Sequence, residues 1–243
     1  MPLVDLSYTL LIADIHLQPD KTDPINQTFI HFLETEAVHA DALYILGDLF
    51  EMWVGDDIGL SQYQTEISAL KQLSDSGVAL YALYGNRDFL MRDAFWQATG
   101  ITPIQDVSLV KIYGLPVLLS HGDVLCTEDK GYQRMRRLFR HAWTQALFLW
   151  LPKKRRLAIG ERLRQGSQSS SQQKPMHTMD VSDVAVKALF QKYPECNHLI
   201  HGHTHQPSHH QLNINHQNKH RWVLGDWRPQ AQIIKLQSDQ TLK

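Results

Sequence analysis

The sequence predicts an α/β fold with a partly parallel sheet and one helical insertion. Three observations carry this. Short apolar runs alternate with longer stretches of helical periodicity. Most of the runs end at Gly, Asp, Asn or His. One segment, 128–164, breaks the rhythm by interleaving apolar and basic residues.

The runs at 8–13, 42–46, 78–84, 117–120, 198–200, 221–224 and 233–236 are rich in Leu, Ile, Val and Tyr and read as buried strands. Between them, 24–38, 60–76 and 181–193 carry apolar residues at helical spacing. The close pairs after residue 198 suggest an antiparallel or mixed portion. Residues 128–164 read as helix broken at Pro152, and 166–174 (GSQSSSQQK) as a polar, low-complexity loop. The expected organisation is a core of 1–127 and 181–243 interrupted by a helical cap at 128–180. No internal repeat is visible.

Composition narrows the class. The chain has 243 residues, 43% of them hydrophobic, enough for one α/β domain with an insertion or two small domains. Neither the low hydrophobicity nor the high net charge of a disordered chain is present. No apolar run approaches the roughly 20 residues of a membrane-spanning helix. The first basic residue is Lys21, and 8–13 is too short for the apolar region of a secretory signal. Cys126 and Cys196 cannot build a disulfide scaffold, so a reducing cytosol is the expected compartment. The net charge of −1 hides an asymmetry: 130–164 holds 11 of the 24 basic residues and one acid, Glu161. A cationic segment on an acidic body suggests an anionic partner, whether nucleic acid, acidic phospholipid or a phosphorylated small molecule.

Five polar clusters follow strand-like runs: Asp14-Ile15-His16, Gly47-Asp48, Gly85-Asn86-Arg87-Asp88, His121-Gly122-Asp123 and His201-Gly202-His203-Thr204-His205. In open α/β sheets, ligands bind beyond the carboxyl ends of the strands, so these clusters could meet in one place. Any one alone reads more readily as a turn or a solvated loop. All five in this order at strand ends point to a site. Asp and His offer hard oxygen and borderline nitrogen donors, suited to Mn2+, Fe2+, Zn2+ or Mg2+. No cysteine lies in the clusters, which excludes a thiolate-rich structural zinc site. Asp48 is the best candidate to bridge two metals, and Asn86 offers a neutral carbonyl oxygen. Two metals about 3.5–4 Å apart can clamp a phosphoryl group and activate water near neutral pH. Arg87 can set a guanidinium fork against phosphate oxygens. Arg87, Asn86 and His121 are thus the candidate catalytic residues.

In this order, D-x-H, G-D, G-N-R-D, H-G and G-H-x-H resemble the calcineurin-like metallophosphoesterases, over residues 14–205. The resemblance implies a four-layer α/β/β/α sandwich and a dinuclear centre. It places Asp14, His16, Asp48 and His205 on one metal, and Asp48, Asn86, His121 and His203 on the other. His201 is not a ligand in that pattern. Longer stretches at 40–57, 85–90, 121–129, 199–207 and 223–227 resemble the branch acting on UDP-2,3-diacylglucosamine. For that branch the implied reaction splits the pyrophosphate to UMP and 2,3-diacylglucosamine 1-phosphate during lipid A synthesis. The implied cofactor is two manganese ions. The implied location is the cytoplasm or, peripherally, the inner face of the inner membrane, with the chain a monomer. Asn86 and Arg87 would contact the diphosphate; Asp129, Ser167, Ser171, Lys174 and His203 would contact the nucleotide sugar. Two positions depart from the branch's pattern: Ser171, often Asn, and Asp226, usually a small residue.

The insertion fits that reading. Phe139, Trp143, Leu147, Phe148, Trp150 and Leu151 form an apolar, aromatic surface. Arg134, Arg136, Arg137, Arg140 and 153–156 flank it. Such a surface suits acyl chains with a phosphate and an anionic leaflet. The same residues could instead be the cap's own core and its solvated face. Removing 131–164 should abolish turnover of a lipid substrate while sparing a simple aryl phosphodiester. A non-catalytic binding module of the same shape should have lost some ligands, yet every expected position carries the expected residue type. A phosphoesterase for a soluble nucleotide would have no need of an apolar cap, and the basic window is too compact and aromatic to favour nucleic acid.

Overall fold

The computed structural model describes residues 7–173, 180–228 and 230–243, with the backbone alone for 167–173. Two five-stranded sheets face each other. The first runs in the spatial order β10 (Ile234–Gln237), β1 (Tyr8–Ile12), β2 (Ala42–Ile45), β3 (Ala79–Ala82), β4 (Thr102–Pro103). Strands β1 to β4 are parallel, and β10 is antiparallel to β1. The second runs β5 (Ser108–Ile112), β6 (Leu115–Ser120), β7 (His198–His201), β9 (Gln217–Val223), β8 (Ser208–Ile214). Its inner pairs are parallel and its outer pairs antiparallel, the mixed portion expected from the sequence.

Side-chain alternation along the strands makes the layers. Leu10, Ile12, Leu43, Ile45, Leu80 and Ala82 join one apolar core with α1 (Pro24–Thr35), α3 (Gln64–Asp75) and α4 (Asp93–Thr99). The alternate residues Leu11, Ala13, Tyr44 and Leu46 pack against Val117, Leu119 and Ile200 of the other sheet. Beyond that sheet, Leu118 and Leu199 pack on Val186 and Phe190 of α8 (Asp183–Lys192). The result is helix, sheet, sheet, helix, as expected. Strands covered on both faces carry no polar face, which is why these runs read as continuously apolar. Helix α1 starts where its sequence dictates: the Asp23 carboxylate accepts from Ile25 N at 3.0 Å, and Pro24 occupies the first helical position.

The insertion is helical: α5 (Lys130–Phe139), α6 (Ala142–Trp150) and α7 (Lys153–Gln173). Asp129 caps α5 by accepting from Tyr132 N at 3.0 Å. Pro152 separates α6 from α7, as predicted. The loop expected at 166–174 is a correction, because α7 continues to Gln173. Ser and Gln cost little in a helix, and no proline falls between Pro152 and Pro175. Lys174 lies outside the described residues. Helix α6 lays Phe148 and Leu149 against the core of the first sheet. Helix α7 is anchored by Arg156, 3% exposed, which donates to the carbonyls of Val54 and Leu151 and to both carboxylate oxygens of Asp57. The turn at 55–57 opens α2 (Asp56–Gln62), a short helix the periodicity did not reveal.

Candidate metal centre

Parallel strands end along one edge. The loops after β1, β2 and β3 leave the first sheet together, and those after β6 and β7 leave the second. They stay paired beyond the sheets. Asp14 N donates to Gly47 O at 3.1 Å, His16 N to Asp48 O at 3.0 Å, and Gly202 N to His121 O at 2.9 Å. Five predicted ligands sit in left-handed backbone: Asp14 (φ 54°), His16 (54°), Asp48 (51°), His203 (71°) and His205 (54°). That region is uncommon for residues with a side chain, at about 1–3 kcal/mol each. The surrounding fold must hold the strain. A Cβ on Gly85 would collide with Asp48 Oδ1, and one on Gly202 with Asp14 Oδ2, so glycine is what lets these loops close in.

The predicted ligands converge. Ligand atoms of Asp14, His16 and His205 lie within 4.8 Å of one another, and so do those of Asp14, Asp48 and His121. His16 Nε2 and His205 Nε2 are 3.4 Å apart. His121 Nε2 is 3.1 Å from Asn86 Oδ1 and 3.2 Å from His203 Nδ1. Asp48 Oδ2 stands between the groups, 3.9 Å from His16 Nε2 and 3.8 Å from His121 Nε2. His201, outside both groups, is fully buried, with Nδ1 2.9 Å from Gly202 O.

The donor set fits divalent cations. Carboxylate oxygens, an amide oxygen and imidazole nitrogens face one another. Asp14 Oδ1 is buried without a hydrogen-bond partner among the described residues, a cost that a bound cation would remove. The field agrees. Burial works against charging His121, yet Asp48, Asp14, Asp123 and Asp106 outweigh it and push the imidazole up to about 9. Burial raises Asp14, yet His205, His121 and His16 hold it at about 2. Burial and His121 push His203 down to about 4, leaving it a neutral donor.

Three acids behind the ligands had no role in the sequence reading. Glu51, buried beside the second cluster, places Oε2 3.3 Å from His16 Nδ1. Asp88 is fully buried and accepts from Leu49 N and Gly85 N, each at 2.8 Å, which ties the Asp48 loop to the Asn86 loop. Asp226 places Oδ2 3.6 Å from His205 Nδ1, so the residue that departs from the branch's pattern stands behind a ligand.

The sequence profile of the calcineurin-like phosphoesterases matches residues 8–207, a span that holds every one of these ligands. The chain belongs to that family. It is 45% identical to the UDP-2,3-diacylglucosamine hydrolase of Enterobacter sp. (strain 638) over 231 residues, 95% of each chain. It is also 45% identical to the enzyme of that name from Aeromonas salmonicida (strain A449), over 93% of this chain and 88% of that one. The relative of that name from Yersinia pseudotuberculosis serotype O:1b (strain IP 31758) is 42% identical over 95% of each chain. Among solved structures, a phosphoesterase from E. coli aligns over 97% of this chain and 96% of that one, at 14% identity and a TM-score of 0.45.

The remaining predicted site residues of this phosphoesterase fall in three places. Arg87 shares the loop of Asn86; its N–H donates to Asp48 Oδ1 at 2.9 Å, while its Nε is buried with no hydrogen-bond partner among the described residues. Asp129 is the cap of α5. Ser167 and Ser171 lie on the last turns of α7, and Lys174 is outside the described residues.

The cap's charges divide differently from the expectation. The sequence predicts Arg136, Arg140, Lys153 and Arg156 on the flank of an apolar surface that takes an anion. The structure ties them to carboxylates and carbonyls of the body: Arg136 to Asp123 and Asp106, Arg140 to Asp123 and Gly85 O, Lys153 and Arg156 to Asp57. Arg134, Arg137, Lys154 and Arg155 stay exposed. Trp143, Leu147 and Trp150, on one face of α6, are 81%, 65% and 83% exposed, whereas Phe139, Phe148 and Leu151 are half-buried. Removing 131–164 would therefore also withdraw Arg136, Arg140 and Arg156 from the body, and it does not isolate lipid recognition.

Proposed function

We propose that the chain hydrolyses the pyrophosphate bond of UDP-2,3-diacylglucosamine to UMP and 2,3-diacylglucosamine 1-phosphate. The observation that carries this reading is the meeting of seven metal-ligand side chains from five strand ends, in a chain 45% identical to hydrolases of that name. Asp14, His16, Asp48 and His205 would hold one manganese ion, and Asp48, Asn86, His121 and His203 the other. When bound, the ions would supply a nucleophilic water near neutral pH and charge for the transition state.

The chain's own groups would do the rest. Arg87 has an unpartnered buried nitrogen at the edge of the ligand cluster, which suits a diphosphate oxygen. Asn86, on the same loop, orients that group. Asp129 lies at the start of α5 and Ser167 and Ser171 on the end of α7; these residues, with His203 and with Lys174, which is outside the described residues, would bind the nucleotide sugar. Residues 128–180 act as a cap on a body formed by 1–127 and 181–243. The exposed face of Trp143, Leu147 and Trp150, with Arg134 and Arg137 nearby on α5, suits acyl chains and an anionic leaflet. The enzyme works as a monomer at the cytoplasmic face of the inner membrane. No helix of the described residues is long and apolar enough to cross one.

The test is Asp48→Ala together with metal removal. Purified wild type should release UMP with manganese and lose that activity after chelation; the variant should lose it in both conditions. Hydrolysis by Asp48→Ala at near wild-type rate in metal-stripped buffer would end the reading.

A further inference from the structure

Arg136 on α5 and Arg140, the residue that caps its C-terminus, lie one turn apart and so share a face of the helix. Each grips a different loop of the centre. Arg136 Nε lies 2.7 Å from Asp123 Oδ2, and its Nη2 lies 3.1 Å from Asp106 Oδ2. The other oxygen of Asp106 accepts from His121 N at 3.1 Å and from Ser120 Oγ at 2.7 Å. Arg140 Nη2 donates to Gly85 O at 2.8 Å and stands 3.5 Å from Asp123 Oδ2. Tyr132 OH, also on α5, donates to Asp123 Oδ2 at 2.9 Å. Gly85 precedes Asn86, and Asn86 faces His121 at 3.1 Å. One helix of the insertion thus holds the backbone beneath both residues.

Asp106 and Asp123 are almost wholly buried as side chains, at 3% and 0% exposure, so their charge needs partners. Charge-assisted bonds from arginine are strong and directional. Among the described residues, Asp14, His16 and His205 make no such bond with α5; Glu51 and Asp226 stand behind the two histidines instead.

We propose that Arg136 and Arg140 are positioning residues for one metal position only, that of Asn86 and His121, and that docking of α5 and filling of that position are linked. This rests on the dinuclear reading above. It makes the insertion a part of the metal centre as well as a cap, and linkage requires the reverse effect: metal at that position steadies α5.

The experiment measures Mn2+ binding to the full chain by equilibrium dialysis and by electron paramagnetic resonance. Wild type, Arg140→Met, Arg140→Lys and, as a control on an exposed neighbour, Arg137→Met are compared, with folding checked by circular dichroism. Wild type and Arg137→Met should bind two ions. Arg140→Met should bind the first within about twofold of wild type and the second at least about tenfold more weakly, with loss of the spin-coupled pair signal. Arg140→Lys, with one donor head for two acceptors, should fall between. Amides of α5 should exchange more slowly in wild type once the second ion binds. Folded Arg140→Met with wild-type affinity for both ions, or with both weakened equally, overturns the proposal. If Arg140→Met does not fold, wild-type affinity of Arg140→Lys for the second ion overturns it. Wild type binding no manganese would instead sink the dinuclear reading, and this inference with it.

Discussion

His121 Nδ1 lies 2.9 Å from the carbonyl oxygen of Leu46, two residues before Asp48. A carbonyl can only accept, so Nδ1 donates to it, and Nε2 is the nitrogen turned toward Asp48 and Asn86. The backbone leading to one candidate ligand thereby fixes the ring orientation of another. Both sheets contribute to that contact, since Leu46 follows β2 and His121 follows β6. The packing between the sheets is therefore what puts the imidazole in its working state.

Asp48→Asn tests the shared carboxylate with little disturbance. Asn tolerates the φ of 51° and still accepts from Arg87 N. The negative charge is lost, and an amide NH2 replaces Oδ2, the oxygen that stands between the two ligand groups. Steady-state turnover should fall by about a thousandfold or more, several kcal/mol of transition-state stabilisation, and manganese content should drop below two per chain.

Acid stability should depend on His198, far from the ligands. Burial, with His220 and His209 adding to it, pushes this imidazole down to about 4 from an ordinary 6.5. The unfolded chain then binds the extra proton between those values, so its contribution to stability is present above pH 6.5 and is lost as pH falls toward 4. His198→Gln should flatten that part of the stability curve in urea titrations run from pH 7 to pH 4. An unchanged slope would show that His198 does not carry the acid sensitivity.

Arg156→Met should destabilise the chain by about 2–4 kcal/mol, because the buried carbonyl of Val54 and the half-buried one of Leu151 lose a donor along with the Asp57 pair. Chemical denaturation reads this directly. A cost under about 0.5 kcal/mol would mean that α7 docks through apolar contacts alone.

The exposed face of α6 should govern membrane attachment. Trp143→Ser with Trp150→Ser should weaken binding to phosphatidylglycerol vesicles by about tenfold or more, given the apolar area two indoles bring to an interface. Sedimentation with vesicles measures it, and an unchanged affinity would assign that face another role.

The five polar clusters that hold the seven candidate ligands were legible in the sequence because residue type and strand-end placement are both local properties; the division of those residues between two metals came from the family resemblance. Asp14, Asp48 and His121 each follow a run whose burial is written in its own residues. The supports were not legible. Arg136 finds Asp123 13 residues away and Asp106 30 away, and only the packing of α5 on the loops brings them together. Charge alone made those arginines look solvent-facing. Strand β8 (SHHQLNI) escaped because an edge strand carries polar residues. The last turns of α7 escaped because a polar composition was read as a conformation. Asp226 stood out only as a departure; its place behind His205 needed the β9 end in three dimensions.

The most direct test of the account is hydrolysis of UDP-2,3-diacylglucosamine in 18O-labelled water with manganese, followed by mass spectrometry of both products. Attack at the α-phosphorus predicts one heavy oxygen in UMP and none in the sugar 1-phosphate. Label in the sugar phosphate, or no UMP released, would contradict it.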